Sequence, residues 1–169
     1  MVLRLLRPVA LLASVATIAI AALADPAGAG MAANVQIRGV GAFVPEGAPE
    51  CRELDDLYTI RMTGSLEGCW YTTVLNVVKD TSSGIYQERG EETFVGCLVE
   101  NGLALACGTF DTTYHFTAKY APDGSELHGR CHHPIVDGTG DFADATGRVD
   151  FKDDVVTGEF DYRGHIKLP

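Results

Sequence analysis

Apolar and polar residues alternate along much of the chain from residue 35 onward. The alternation is cleanest in residues 112–120 (TTYHFTAKY), and residues 70–78 (WYTTVLNVV) are rich in β-branched and aromatic side chains. A period of two places successive side chains on opposite faces of a β-strand. Beyond residue 24 no segment keeps the period of a helix, so the pattern predicts an all-β protein.

Turn signals recur about every ten residues and divide the chain into about eight or nine short strands. Two of these strands, residues 85–89 and 93–99, are predicted to flank Gly90, with Glu91 and Glu92 solvated beside a turn. Regularly spaced short strands indicate an antiparallel sandwich or a closed barrel. Closure removes exposed sheet edges, and a barrel of about eight strands has room for side chains or one small ligand. We therefore expect one domain over residues 35–169, a closed antiparallel β-barrel of about eight strands.

The alternation also predicts which side chains face the interior, because every second residue of a strand shares a face. The predicted inward residues are mostly apolar or aromatic, with one histidine among them. They are Tyr114, Phe116, Ala118 and Tyr120 in residues 112–120; Leu127, Cys131, His133 and Ile135 in residues 126–136; and Val156, Phe160, Tyr162, Ile166 and Leu168 in residues 155–168.

A histidine among tyrosines inside a barrel is the strongest candidate site in the sequence. Such a group can orient a polar ligand or move a proton. The alternative is a structural role, in which His133 is hydrogen-bonded to a tyrosine or a backbone carbonyl in the core. The candidate ligand-binding residues are His133, Tyr114, Tyr120, Tyr162 and Glu88. No residue is assigned a catalytic role.

The chain has five cysteines, an odd number that leaves at least one outside any disulfide within the chain. Cys97 and Cys107 flank an Asn-Gly turn signal, so they can face each other across a hairpin. This is the preferred disulfide, and Cys51 with Cys69 is the next candidate. Cys131 is then left over. The sequence does not decide between the possible connectivities.

The N-terminus has the features of an export signal. Arg4 and Arg7 precede an apolar run over residues 9–23, and Ala22-Leu23-Ala24 supplies a small-residue cleavage pattern. We predict a signal peptide over residues 1–24, cleaved after Ala24, followed by a flexible lead-in over residues 25–34. An uncleaved anchor is the alternative. A cleaved chain is secreted and has no membrane segment.

Charge and motif spacing argue against several classes of function. Removing the two arginines of residues 1–24, which contain no acidic residue, takes the net charge from −10 to −12. A chain this acidic is repelled by phosphate backbones, so we expect no nucleic-acid partner.

The G-x-G-x-x-A pattern at residues 138–143 lacks the following helix that a dinucleotide site requires. In Cys131-His132-His133 the middle residue points away from the other two, and we predict no metal and no cofactor.

Residues 138–151 (GTGDFADATGRVDF) carry the most distinctive local pattern. Its glycines permit tight backbone turns, so we expect a short helical turn at residues 141–146 with Phe142 closing one end of the barrel. Gly147 is expected to end this turn as a left-handed cap.

With the closing run at residues 158–168 (GEFDYRGHIKL), this motif resembles the C-terminal signature of the allene-oxide-cyclase-like and dirigent-like, calycin-type β-barrels. The resemblance covers about a fifth of the chain and implies a barrel with a mostly apolar cavity. The leading function hypothesis for such a barrel is binding of a small apolar or amphipathic molecule in its interior, without catalysis. The second is a cyclase or isomerase, although no catalytic residue of the family maps onto a motif here. A third possibility is a surface or inhibitor role with a packed barrel.

Overall fold

A computed structural model gives the fold of the protein. The residues it describes are 34–45, 48–51, 54 and 57–169. The predicted signal peptide, residues 1–24, lies outside them, as does the predicted lead-in, residues 25–34, except for its last residue, where the first strand begins. Among the described residues no helix is long and apolar enough to cross a membrane.

Within the described residues eight antiparallel strands form one closed ring, which confirms the predicted all-β barrel. The strands are β1 (Asn34–Phe43), β2 (Tyr58–Gly64), β3 (Leu66–Asp80), β4 (Ile85–Glu100), β5 (Leu103–Tyr120), β6 (Glu126–Gly140), β7 (Thr146–Asp154) and β8 (Glu159–Lys167). Each strand pairs with its neighbours in the chain, and β8 pairs with β1 to close the ring. No strand is therefore left as a free edge within this ring.

Several strands are longer than the sequence predicts. Residues 85–89 and 93–99 belong to the single strand β4, which passes through Gly90 without a turn. A Cβ atom at Gly90 would lie 1.7 Å from the Val74 carbonyl oxygen of β3 and 2.5 Å from the Tyr114 ring, so this strand position has no room for a side chain. The prediction of a turn next to Glu91 and Glu92 is therefore wrong.

The predicted plug at one end of the barrel is present. Phe142 is fully buried, and its ring packs edge-on against Phe110 at a centroid distance of 5.2 Å. Three amide-to-carbonyl hydrogen bonds between residues three apart form the expected turn over residues 139–145. Asp144, with a φ of 60°, takes the left-handed conformation that was expected of Gly147. Gly147 lies within β7 instead, where a Cβ atom would be 2.1 Å from the His165 carbonyl oxygen.

Two predicted inward residues point outward. Leu127 is 52% exposed because the β5–β6 register shifts at this point: Lys119 pairs with His128, and Tyr120 pairs with Glu126. The bulge skips Leu127 and turns Glu126 toward the interior. Val156 is 90% exposed because residues 155–158 form a turn and β8 begins only after them.

Both predicted disulfides are present, and Cys131 is a buried free thiol. Cys97 and Cys107 are direct cross-strand partners in the β4–β5 hairpin, and the Asn101-Gly102 turn has the expected positive φ angles of 52° and 77°. Cys51 and Cys69 link the segment after β1 to strand β3. Two disulfides indicate an oxidising compartment.

Removing the hairpin disulfide is expected to weaken the fold measurably. The double variant Cys97→Ala/Cys107→Ala opens a loop whose two cysteines are 10 residues apart in the sequence. Loop-closure entropy then predicts a loss of about 2–3 kcal/mol in the free energy of unfolding. Guanidinium titration under non-reducing conditions measures it, with Cys131→Ala as the control for loss of a thiol. Equal unfolding midpoints for the double variant and the wild type would contradict this expectation.

Candidate functional site

A cavity of about 350 Å³ occupies the half of the barrel opposite the Phe142 plug. Its lining combines aromatic rings with carboxyl groups and contains no lysine or arginine. The lining residues are Phe43, Tyr58, Ile60, Thr72, Tyr86, Glu88, Glu92, Tyr114, Phe116, Tyr120, Glu126, Cys131, His133, Phe151, Asp153 and Phe160. At the rim Phe43 and Tyr58 are 56% and 51% exposed, so the cavity reaches solvent at this end.

A buried carboxyl–imidazole pair lies deepest in the cavity wall. His133 is 1% exposed and Glu92 is 6% exposed, and the distance from His133 Nε2 to Glu92 Oε2 is 3.0 Å. The Trp70 indole donates to Glu92 Oε2 at 2.7 Å, and the Thr72 hydroxyl donates to Oε1 at 2.9 Å. Each carboxylate oxygen therefore has a donor from β3, as burial of a charged group requires.

The hydrogen bonds determine the tautomer of His133. Its Nδ1 lies 3.0 Å from the Val149 carbonyl oxygen, which can only accept, so Nδ1 carries a proton. A proton must also lie between Nε2 and Glu92 Oε2, because two lone pairs at 3.0 Å repel each other. Glu92 and His133 therefore share one proton, while Trp70 and Thr72 both donate to the Glu92 carboxyl group.

Glu88 lies nearer the rim and accepts hydrogen bonds from two phenols. The Tyr86 hydroxyl donates to Oε2 at 2.6 Å, and the Tyr114 hydroxyl donates to Oε1 at 3.1 Å. Burial, followed by the Glu88 carboxylate, raises the pKa of both tyrosines. The two phenols therefore remain protonated donors at physiological pH.

A second pair of carboxyl groups, Glu126 and Asp153, completes the polar lining. Both adjoin Gly129, where a Cβ atom would lie 2.0 Å from Asp153 Oδ2 and 2.6 Å from Glu126 Oε1. Burial, and after it the adjacent Glu126, raises the pKa of Asp153 to about 7. Glu126 Oε1 is buried and accepts from no N–H or hydroxyl donor, but the Glu126 carboxyl is hydrogen-bonded to that of Asp153. The pair therefore holds a proton near neutral pH and loses it as the pH rises.

The raised pKa of Asp153 gives stability a testable pH dependence. Between about pH 4 and 7 the folded state keeps a proton that the unfolded state has lost, so the free energy of unfolding falls as pH rises through this window. The melting temperature should therefore drop less between pH 5 and pH 8 in Asp153→Asn than in the wild type. Asp161→Asn, at an exposed position of β8, is the control and should behave as the wild type. An unchanged drop in Asp153→Asn would refute this assignment.

The structure brings most of the predicted ligand-binding residues together. His133, Tyr114, Tyr120 and Glu88 all line the cavity. Tyr162 does not: its hydroxyl accepts a hydrogen bond from the Leu66 amide at 2.7 Å and donates to the Thr63 carbonyl at 3.0 Å. Tyr162 therefore ties β8 to the β2–β3 turn, and burial raises its pKa to about 12.

Three carboxyl residues of the cavity lining, Glu92, Glu126 and Asp153, are absent from the predicted ligand-binding set. Because β4 is one continuous strand, Glu88 and Glu92 lie on the same face of it. The predicted inward position of Glu88 therefore also indicates that Glu92 faces the interior. Glu126 faces inward because of the bulge at Leu127, which the alternation does not reveal. Burial keeps Cys131 a thiol, because it raises the pKa, and the carboxylates of Glu92 and Glu88 add to this effect.

Larger depressions, of 540 to 740 Å³, lie on the outside of the barrel and at its loops. One of them runs along β3–β6 past Val74, Arg89 and His132, all of which are exposed. We assign the site to the smaller internal cavity because buried polar groups converge there. Among the described residues no group of three or more His, Cys, Asp or Glu side chains could hold a metal ion.

Comparison with known proteins adds no assignment. No protein-family model, no curated protein and no solved structure matches the chain.

Proposed function

We propose that the protein binds a small amphipathic molecule inside its barrel, without catalysis. The observation that carries this proposal is the unfilled interior: 350 Å³ of space, open at one end, within a ring of strands that is otherwise packed. Small-molecule sites span about 300–1,000 Å³ and combine apolar walls with a few convergent polar groups. The cavity has both properties, and its volume fits a molecule of about one or two rings.

The chemistry of the wall supports binding more than covalent catalysis. The Cys131 thiol and the Tyr86 and Tyr114 phenols have raised pKa values, so none of them is an activated nucleophile. Their hydrogen-bonding groups are instead suited to orienting a ligand. The aromatic rings provide most of the contact area.

Native mass spectrometry of the protein purified from its own host's medium tests the proposal. The wild type should carry a small molecule that dissociates on unfolding. Ile60→Phe adds bulk inside the cavity and should lose that molecule, whereas Val74→Phe adds the same ring on the outer face and should keep it. A wild type without any associated molecule, or equal occupancy of the two variants, would overturn the proposal.

A second candidate function is a cyclase or isomerase, the class implied by the resemblance of residues 138–168 to the allene-oxide-cyclase-like barrels. The favouring observation is the Glu92–His133 contact, where a proton lies between an acid and a base at the cavity wall. For an enzyme of this class, Glu92→Gln should abolish turnover while ligand still binds. Retained turnover in this variant would exclude the pair as the proton donor or acceptor. The third candidate, a surface or inhibitor role, was predicted with a packed barrel, and the cavity of about 350 Å³ gives it less support.

Export is part of the proposal. The two disulfides support an oxidising compartment, and Arg4, Arg7 and the small-residue pattern ending at Ala24 support a cleaved signal. The intact mass of the protein from culture medium should correspond to a chain that begins at Asp25. A mass that includes residues 1–24 would contradict cleavage.

A further inference from the structure

The charges around the cavity are unbalanced. Four carboxyl groups line it, at Glu88, Glu92, Glu126 and Asp153, and the only basic side chain among the lining residues is His133. The Nε2 atom of His133 is already paired with Glu92 Oε2 at 3.0 Å. Among the described residues, none of the ion pairs includes Glu88, Glu126 or Asp153. Three carboxyl groups at the open half of the cavity therefore have no cationic partner from the protein.

One of these groups is also short of a hydrogen-bond donor. Glu126 Oε1 is buried and accepts from no N–H or hydroxyl donor, so the proton that Glu126 shares with Asp153 is its remaining hydrogen bond and is lost when Asp153 ionises. The Glu88 oxygens, by contrast, accept from neutral phenols, which supply hydrogen bonds but no positive charge. A donor that carries positive charge would satisfy Glu126 and compensate the carboxylates together.

Aromatic rings surround the same carboxyl groups. Tyr86 packs edge-on against Phe116 and Tyr120, at centroid distances of 6.2 Å and 6.1 Å, and the hydroxyl of Tyr86 reaches Glu88. The face of an aromatic ring attracts a cation, most strongly where water is excluded. Carboxylates among aromatic rings are therefore a combination that favours an organic cation over a neutral or anionic molecule.

We infer that the ligand of the barrel is a small protonated amine with an aromatic or apolar body, whose ammonium group is held by Glu126, Asp153 and Glu88. This inference rests on the proposed function and specifies its ligand class. The ammonium donates to Glu126 Oε1 in place of the proton shared with Asp153, and the rings of Tyr86, Phe116 and Tyr120 pack around it. The body of the ligand extends toward Ile60 and Phe151.

Calorimetric titration with matched probes tests the charge of the ligand. The first set is 2-phenylethylamine, 2-phenylethanol and phenylacetate, and the second is tryptamine, tryptophol and indole-3-acetate. At pH 8 the amine of at least one set should bind at least about tenfold more tightly than its alcohol, with the acid weaker still. If an alcohol or acid binds as tightly as its amine, the inference fails and the proposed function stands. If no probe of either set binds, both fail.

Variants test the location of the amine. Glu126→Gln should weaken amine binding about tenfold and leave binding of the alcohol within about twofold, because only the charge changes. Glu91→Gln removes a carboxylate from the exposed face of the same barrel and is the matched control. Equal amine affinity in Glu126→Gln and Glu91→Gln, both folded by circular dichroism, would overturn this placement.

The pH dependence of binding offers an independent measurement. The titratable groups near Asp153 are Glu126 and Cys131 on β6, Tyr120 on β5 and Glu88 on β4. Burial raises the pKa of Tyr120 and Cys131, so both stay neutral. Because binding of the amine displaces the proton of Asp153, the affinity of the protein for the amine should rise by up to about tenfold between pH 6 and pH 8. Asp153→Asn should remove most of this rise. A pH-independent amine affinity in the wild type would contradict the role of Asp153.

Discussion

His133→Leu is expected to lower the free energy of unfolding by about 3–5 kcal/mol, among the largest effects of any single change in this barrel. His133 is 1% exposed, and its Nε2 atom contacts the buried Glu92 carboxyl at 3.0 Å. Leucine has a similar volume, so the loss arises mainly from the Glu92 carboxyl group, which stays buried without its imidazole partner. Guanidinium unfolding followed by the fluorescence of Trp70, the only tryptophan, measures it.

Two further variants separate charge from packing at this position. Glu92→Gln in the His133→Leu background should recover part of the loss, because the amide carries no charge and its oxygen still accepts from Trp70 or Thr72. His132→Leu, the neighbouring histidine on the exposed face, should change stability by less than about 1 kcal/mol. If His133→Leu unfolds at the same denaturant concentration as His132→Leu, the buried pair does not stabilise the fold.

Phe142→Ala is the second change with a large expected effect, again about 3–5 kcal/mol of unfolding free energy. Phe142 is fully buried at the closed end of the barrel, where its ring contacts Phe110 and Phe94. Strands and turn hold these neighbours in place, so the barrel cannot collapse into the space that the ring leaves. Thermal and guanidinium unfolding should both show the loss.

Phe43→Ala is the matched control for this substitution, because the same ring is removed at the open end. Phe43 is mostly exposed at the cavity rim, so its loss should cost less than about 1 kcal/mol of stability. It should weaken ligand binding instead, since Phe43 lines the cavity. Similar destabilisation by Phe43→Ala and Phe142→Ala would contradict the division into a closed end and an open end.

Much of the architecture followed from the alternation of residues. Residues 112–120 have one apolar and one polar face, and that pattern placed Tyr114 and Tyr120 inside, as it placed His133 in β6. The Asn101-Gly102 turn predicted the hairpin that brings Cys97 and Cys107 together. These features depend on short-range chemistry, namely side-chain period and turn preference, which a sequence displays directly.

Features that depend on neighbouring strands could not be predicted in the same way. Gly90 predicts a turn, but it is a strand position kept small by the Val74 carbonyl of β3 and the Tyr114 ring of β5. That error hid Glu92, whose burial also needs donors from Trp70 and Thr72 on β3. Glu126 enters the cavity only because of a bulge in the β5–β6 register. Each of these depends on contacts between residues far apart in the sequence.

If a ligand occupies the internal cavity, the NMR signal of the single indole should report its binding. Trp70 Nε1 donates to Glu92 at the cavity wall, so its proton resonance reports on that wall and has no competing indole signal. Titration of ¹⁵N-labelled protein with 2-phenylethylamine or tryptamine should shift this resonance saturably, together with the amides of Tyr86, Tyr114 and Glu126. Saturable shifts confined to the outer depression near Val74 and His132, with the indole resonance unmoved, would contradict ligand binding inside the barrel.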